Sequence, residues 1–326
     1  AATAAEPVAL EAIGSAEAGD AGARALRDLA NLTLGYHWLR EGAGDKAKPV
    51  LARVRSPGPY GNAALLGFGW AFLVPEAAEQ RPAMFDPALP LWPDGAAQAA
   101  ELRRSLPFRY LHSVAVGGER LLDLRRALVP WVELLGRDAT DPAVQEGMLV
   151  VPYALAHLGA NAQAQQYTRR AVTQLQQARS ELEAAMHHVG EGGLLRVLRQ
   201  HQAAQQDGWQ RELADLRGPA ETSYIARLAQ NGEVLAAIDA QCELLQLELL
   251  LQRQAAALPD AAAALVVQHA ALRSRVDNAL QQQGAALETL ALAELKRGLQ
   301  HTLAYLAEAH LALARIHDRP LEGENS

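Results

Sequence analysis

The chain has 326 residues, of which 50% are hydrophobic, 5% aromatic and 21% charged, a balance that suits one large or two modest globular domains and excludes a disordered chain. Its formal net charge of −7 lacks the basic excess that sequence-independent phosphate binding needs, which argues against nucleic acid as a partner. Alanine and leucine are abundant while aromatic and β-branched residues are scarce, so we predict an all-α fold. The single cysteine, Cys242, excludes an internal disulfide.

Residues 1–23 are interpreted as an N-terminal helical lead-in. The chain opens on small residues, Ala1 to Ala5, without a methionine. This opening fits the edge left by signal-peptide cleavage, which predicts a periplasmic or exported protein, and fits equally a trimmed start, which leaves a cytoplasmic one open. No charge-free window of about 18 apolar residues occurs, so we expect no transmembrane helix.

A repeat of small, aromatic and large residues begins in the front half of the chain. Its first copy has this order: Gly35, Trp38, Gly42, Ala47, Leu51, Val54 and Pro59. Small residues at these positions let two helix backbones touch, while bulky ones fill the spaces between. The pattern resembles the tetratricopeptide repeat (TPR) family, which implies pairs of antiparallel helices over residues 24–173.

Two further copies are less regular. The second begins with Gly67 and Trp70 and resumes at Ala127, Trp131 and Leu134. Between its two helices we predict a proline-rich insertion at 75–119. The third copy has Pro152 where the first has glycine, and continues with Leu155, Gly159, Ala164 and Ala171. The insertion and Pro152 argue against a regular superhelical pitch without disturbing the helical prediction.

The TPR resemblance implies a binding scaffold whose first helices line a concave groove. The residue after the first position of each copy is predicted to face that groove: Tyr36, Phe68 and Tyr153. One helical turn later come Arg40, Phe72 and His157. Such aromatic side chains suit an amphipathic helix or a peptide with bulky side chains. The alternative is that the insertion or the long helices of the same chain cover these rings and make them core.

The insertion itself contains apolar groups in a turn-rich context: Met84, Phe85, Trp92, Phe108 and Tyr110. Tryptophan and tyrosine contribute large contact areas at low entropic cost, which is typical of a recognition loop. The same segment is also suited to packing back and closing a gap between its own helices.

Residues 174–319 are predicted to form a domain of long, coiled-coil-like helices. Apolar residues recur at steps of three and four from Leu235 to Leu249, and Pro259 ends that helix. A second helix then meets no proline until Pro320, so the two should form an antiparallel hairpin. The predicted stripe of the second helix is Leu265, Leu272, Val276, Ala279, Leu292, Leu295, Leu299, Leu303, Leu306, His310 and Leu313, with Gln283 and Gly284 as weak points.

The distal half of this second helix needs a partner. The helix from about 161 to 189 and a second copy of the chain are the two candidates, and the second would make a homodimer. Residues 320–326 are polar and contain glycine, so we interpret them as a flexible tail.

Histidines and carboxylates give one weak metal candidate. Glu183, His187 and Glu191 share a helix face at four-residue intervals, although the glycines at 190–193 indicate a helix end there. His310 and His317 are seven residues apart on the predicted stripe and suit either a pH-sensitive seam or ordinary partly exposed packing. Cys242 lies on the apolar stripe of its helix and is interpreted as a buried packing residue rather than a nucleophile.

Enzyme signatures are absent: the chain has no P-loop, no H-E-x-x-H and no G-x-S-x-G. We therefore expect no enzyme, no cofactor and no bound metal. The leading hypothesis is a non-enzymatic protein–protein interaction scaffold of a bacterial envelope assembly. The alternative is a structural coiled-coil spacer or self-association protein in which the repeats form a cap.

Overall fold

The computed structural model describes residues 5–74, 121–204, 223–255 and 263–318. Within these ranges all regular secondary structure is helical, which confirms the all-α class. The helices are α1 (Ala5–Ser15), α2 (Ala21–Arg40), α3 (Gly44–Leu51), α4 (Gly61–Ala71), α5 (Leu121–Leu134), α6 (Pro142–His157), α7 (Asn161–Gly190), α8 (Gly193–Ala204), α9 (Ser223–Leu228), α10 (Gly232–Ala255) and α11 (Ala263–Asp318). The predicted insertion at 75–119 and the tail at 320–326 lie outside the described residues.

The chain divides into two compact units. The first comprises Ala1–Ala178 with Thr302–Ser326, and the second comprises Arg179–His301. Two long helices, α7 and α11, contribute to both units. The first unit therefore contains the end of the last helix as well as the front half of the chain.

Caps and turns in the first unit follow directly from the sequence. Asp20 caps α2 by accepting a hydrogen bond from the Ala23 amide, and Asp141 caps α6 ahead of a proline at the first helical position. Gly42 and Gly159 follow α2 and α6 with φ angles of 74° and 80°. Because glycine adopts this left-handed region without a Cβ penalty, each turns the chain into the next helix.

Two glycines of the predicted repeat permit close helix contacts. A Cβ atom on Gly35 would overlap the side chain of Leu51, which places α2 directly against α3. A Cβ on Gly67 would lie 2.9 Å from Cε2 of Tyr36, so α4 packs equally closely on α2. These contacts explain why the sequence has glycine at both positions.

The core of the first unit joins helices on either side of residues 75–120. Trp131 of α5 is fully buried, and its ring centroid lies 4.9 Å from that of Trp70 on α4, in an edge-to-face arrangement. Trp131 Nε1 also donates a hydrogen bond of 3.1 Å to the carbonyl of Leu66. The helix after this segment therefore packs on the helix before it.

In the second unit, α10 and α11 form the predicted antiparallel hairpin. His269 Nε2 lies 2.8 Å from the carbonyl oxygen of Leu251, near the end of α10. Asn231, immediately before α10, donates a hydrogen bond of 2.7 Å to Glu294. The contacts move forward along α11 as they move backward along α10, which defines an antiparallel pair.

Gln283 and Gly284 are not weak points, because α11 continues through both. Gln283 Nε2 lies 3.4 Å from the carbonyl oxygen of Ala237. A Cβ on Gly284 would lie 3.0 Å from Cδ1 of Leu195, so the glycine gives α8 a close approach to α11. A residue pair that looks flexible in the sequence is therefore a packing contact.

The predicted stripe of α11 is partly wrong. Leu303 is 41% exposed and His310 is exposed, so neither lies on a buried seam. The buried residues in this region are Thr302, Tyr305 and Ala309. Small and hydroxyl-bearing side chains occupy the inner face because they allow a close approach and find hydrogen-bond partners, which a pattern based on leucine cannot detect.

Helices α7 and α11 contribute side chains to the same apolar clusters. In the first unit, Ala171 and Leu175 of α7 belong to the same apolar cluster as Tyr305 and Ala309. In the second unit one apolar cluster contains residues of both helices: Leu182, Ala185 and Val189 of α7, and Leu287, Ala291 and Leu295 of α11. Of the two predicted partners, these clusters favour the helix of the same chain, and the second copy stays a prediction.

Candidate functional site

The predicted groove residues lie on α2, α4 and α6, and their four aromatic rings of tyrosine and phenylalanine are partly buried while Arg40 and His157 are exposed. Tyr36 of α2 packs against the core, and its hydroxyl donates a hydrogen bond of 2.8 Å to the carbonyl of Ala63 on α4. Burial raises the pKa of Tyr36, and the carboxyl groups of Glu146 and Asp141 raise it further. Tyr36 thus joins α2 to α4 and packs, partly buried, against the core.

Phe68 and Phe72 form a second group, on one face of α4. Both are partly buried, and their ring centroids lie 5.4 Å apart in an edge-to-face arrangement. Lys48 of α3 holds its Nζ 5.3 Å from the centroid of Phe72, within the range of a cation–π contact. This pair presents an apolar surface bordered by a positive charge.

Tyr153 and His157 form a third group at the end of α6. Their ring centroids lie 4.3 Å apart, with Tyr153 partly buried and His157 exposed. Burial raises the pKa of Tyr153. The remaining predicted residue, Arg40, is exposed at the last position of α2.

Sequence reasoning missed the most unusual polar residue of the first unit. Glu146 of α6 is only 6% exposed, and its Oε1 accepts a hydrogen bond of 2.9 Å from Trp70 Nε1. Burial raises the pKa of Glu146 from 4.5 to about 8, although the hydrogen bond from Trp70 opposes the shift. The available signal was that Glu146 is the sole charged side chain among Asp, Glu, Lys and Arg within α6.

Glu146 lies on a face that we call the covered face, defined by Tyr36, Trp70, Gln145 and Glu146. Residues 302–314 at the end of α11, which we call the closing segment, lie against it. Tyr305 of this segment is 4% exposed. Burial raises its pKa, and the charges of Glu146 and Tyr36 raise it further. Tyr305 belongs to the apolar cluster that contains Trp70 and against which Tyr36 packs.

The closing segment is also held by a polar contact. Thr302 is fully buried and its Oγ1 lies 2.9 Å from Nε2 and 3.2 Å from Oε1 of Gln145, which is itself 1% exposed. Ala309, one turn beyond Tyr305, is completely buried in the same cluster. The side chains of Thr302, Tyr305 and Ala309 therefore dock one helix onto the covered face.

The second unit contains the remaining candidates. His187 Nδ1 lies 3.3 Å from an oxygen of Glu191, while Glu183 pairs with Arg179, and all four side chains are well exposed. Groups of three or more potential metal ligands are absent from the described residues. Cys242 is 2% exposed, and burial, followed by Asp239, raises the pKa of its thiol to about 12, which confirms its interpretation as a buried packing residue.

Among the described helices, none combines the length and the apolar character needed to cross a membrane. Comparison with protein-family models, with curated proteins and with solved structures gave no match.

Proposed function

We propose that the chain is a non-enzymatic protein–protein interaction scaffold, in which TPR-like helix pairs hold an amphipathic helix in the groove formed by α2, α4 and α6. One observation supports this proposal: the predicted groove positions on α4 and α6 present partly exposed aromatic rings, those of Phe68, Phe72 and Tyr153. Rings of this kind suit an amphipathic helix or a peptide with bulky side chains.

The contacts between paired helices support the TPR-like part of the proposal. Gly35 and Gly67 lie at the points of closest approach, as the resemblance implies. The helix α5, after residues 75–120, completes a pair with α4 through Trp131. A location in the bacterial envelope stays a prediction from the sequence.

The partly exposed aromatic rings of α4 and α6 give the test of the scaffold role. Phe68 and Tyr153 are partly buried, so their replacement by alanine removes contact area for a partner with limited damage to the core. We expect the double variant Phe68→Ala, Tyr153→Ala to lose about tenfold or more in the recovery of specific partners by affinity capture and quantitative mass spectrometry.

The matched control replaces exposed apolar residues elsewhere in the same unit. Val129 and Val132 of α5 are 72% and 44% exposed, so the double alanine variant there should retain all partners. Unchanged recovery with the Phe68, Tyr153 variant, at wild-type helicity by circular dichroism, would contradict binding through these rings.

A second candidate function, self-association, is favoured by the exposed end of the hairpin. Leu250 of α10 and Leu265 of α11 are 52% and 53% exposed, and Val267 is 69% exposed. A second copy is the proposed occupant, because a two-fold pairing of hairpins would bury the exposed apolar side chains of both copies against each other.

For this second function we expect light scattering to show a mass that rises toward the dimer with concentration. The variant Leu250→Glu, Leu265→Glu should shift the transition to at least about tenfold higher concentration, because it places charges on the apolar contact. Leu303→Glu, on an exposed position of the same helix, is the control and should have no effect. A strict monomer at all concentrations would eliminate self-association.

A further inference from the structure

Three helices of the second unit bring buried polar atoms to the region of the turn between α7 and α8. These atoms are Nε2 of His188, the hydroxyl oxygen of Tyr224 and Oε1 of Glu288, and none of them has a hydrogen-bond partner among the residues that the structure describes. Tyr224 is only 5% exposed. Folded proteins pair nearly all such atoms, because a buried polar atom left alone costs free energy. Their occurrence together indicates a place where a polar molecule binds.

The glycines of the turn, Gly192 and Gly193, fix the positions of these side chains. Gly192 has a φ angle of 74°, which suits glycine and turns the chain from α7 into α8. A Cβ atom on Gly193 would overlap the imidazole of His188, so this ring lies directly on the turn. The ring of Tyr224 meets that of His188 edge to face, with 5.9 Å between the centroids. Side chains of α7 and α9 therefore meet beside the turn.

Gly192 also leaves an open position between two opposite charges. A Cβ atom on Gly192 would lie 3.7 Å from Oε1 of Glu288 and 3.9 Å from Nη1 of Arg196, in ordinary contact with both. Nη1 of Arg196 donates a hydrogen bond of 2.7 Å to the carbonyl of Glu191 instead of to Oε1 of Glu288. Because a guanidinium group has five N–H donors, this bond leaves others for a ligand.

The charges around this position select the kind of molecule that fits. Glu288 attracts a positive group and repels a negative one, while Arg196 does the opposite. In α8, Gly193–Ala204, the first turn contains no acidic residue, and the first amides of a helix favour a carboxylate. Burial raises the pKa of Tyr224 to about 12, although Arg196 opposes the shift, so the hydroxyl keeps its proton and can donate it. A molecule with both charges satisfies this surrounding better than one with a single charge.

We propose that the turn between α7 and α8 binds a small zwitterion of the α-amino acid class, whose ammonium group pairs with Glu288 and whose carboxylate pairs with Arg196. The charged groups of an α-amino acid share one carbon atom, and one position beside Gly192 contacts both side chains. The site lies within the second unit, so this inference goes beyond the proposed scaffold function. Because the ligand would bridge α8 and α11, its binding should stabilise the folded protein.

The test adds each of the standard amino acids in turn to the full chain and records the melting temperature. We expect at least one of them to raise the melting temperature in a concentration-dependent way. Isothermal titration calorimetry then compares the strongest amino acid with its analogues that lack the amino group or the carboxyl group. Each analogue should bind at least about tenfold more weakly, because one charged partner stays unpaired.

A pair of glycine variants tests the position of the site. Gly192→Ala places a methyl group between Glu288 and Arg196. Gly159→Ala is the matched control, because Gly159 has a φ angle of 80° and a Cβ atom there would meet nothing within 4 Å. Both variants place alanine in a left-handed backbone, but only the first fills the proposed site. We expect affinity to fall at least about tenfold in Gly192→Ala and in Glu288→Gln, and to stay unchanged in Gly159→Ala.

Tyr224→Phe tests the unpaired hydroxyl separately from the glycine turn. Removal of a buried hydroxyl without a partner should leave the melting temperature of the free protein unchanged or higher. A lower melting temperature would show that the hydroxyl is paired in the free protein and would overturn the argument from unpaired atoms. The site itself would be overturned if no amino acid raised the melting temperature, or if Gly192→Ala bound as tightly as the wild type. Equal binding of an analogue with a single charge would overturn the zwitterion as the ligand.

Discussion

Replacing Glu146 by glutamine should remove a large pH dependence from the stability of the first unit. Burial raises the pKa of Glu146 from 4.5 to about 8 in the folded chain. The folded state therefore holds this proton more tightly than the unfolded state does, and the neutral acid is the form that suits the core.

The sign of the effect follows from this difference. The stabilisation associated with the neutral acid is fully present below pH 4.5 and declines as the pH rises through about 8. Each unit of pKa difference corresponds to about 1.4 kcal/mol, so the decline is on the order of 5 kcal/mol. Glutamine is neutral at every pH and keeps an acceptor for Trp70 Nε1. The stability of the variant should therefore not show this decline.

Urea unfolding at a series of pH values measures this prediction. Between pH 4.5 and 8 the free energy of unfolding of the wild type should fall relative to that of Glu146→Gln, with the largest gap at the alkaline end. Glu133→Gln is the control, because the side chain of Glu133 is 57% exposed. Parallel pH profiles for the wild type and Glu146→Gln would contradict a buried neutral acid.

Replacing Trp131 by alanine should destabilise the first unit by about 3–5 kcal/mol, the usual cost of deleting a fully buried tryptophan side chain. Trp131 is 0% exposed, contacts Trp70 and hydrogen-bonds the carbonyl of Leu66. A Cβ on Gly69 would overlap its indole, so the ring fits closely against the α4 backbone. Alanine would leave a cavity where α5 joins α4.

Thermal and urea unfolding of Trp131→Ala provide the measurement. The control is Val129→Ala on the same helix, where 72% exposure predicts a change within about 0.5 kcal/mol. A loss below about 1 kcal/mol for Trp131→Ala would contradict the view that this contact unites the helices on either side of residues 75–120.

Much of the local structure could be predicted from the sequence because it depends on near neighbours. The turns at Gly42 and Gly159 require a left-handed backbone, and the sequence supplies glycine at both. The antiparallel hairpin follows from a short connection between two strongly apolar helices. The burial of Cys242 follows from its spacing to leucines along one face of α10.

The candidate site was less predictable, because equivalent repeat positions acquired different surroundings. Tyr36 and Phe68 occupy the same position of the predicted repeat and are both partly buried, yet only Tyr36 can form a side-chain hydrogen bond to the next helix, at the carbonyl of Ala63. Periodicity assigns both residues to one helix face. It cannot tell which part of that face a distant segment covers.

The sequence by itself determined that this protein is built of helices, where several of them turn, and that Gly35 and Gly67 mark close approaches, because helix propensity, caps and glycine geometry act over a few residues. Only the tertiary structure decided that Thr302 meets Gln145, and that Thr302 rather than Leu303 faces inward. These contacts join residues more than 150 positions apart, and their stability comes from burial and hydrogen bonding that exist only after the chain has folded back on itself.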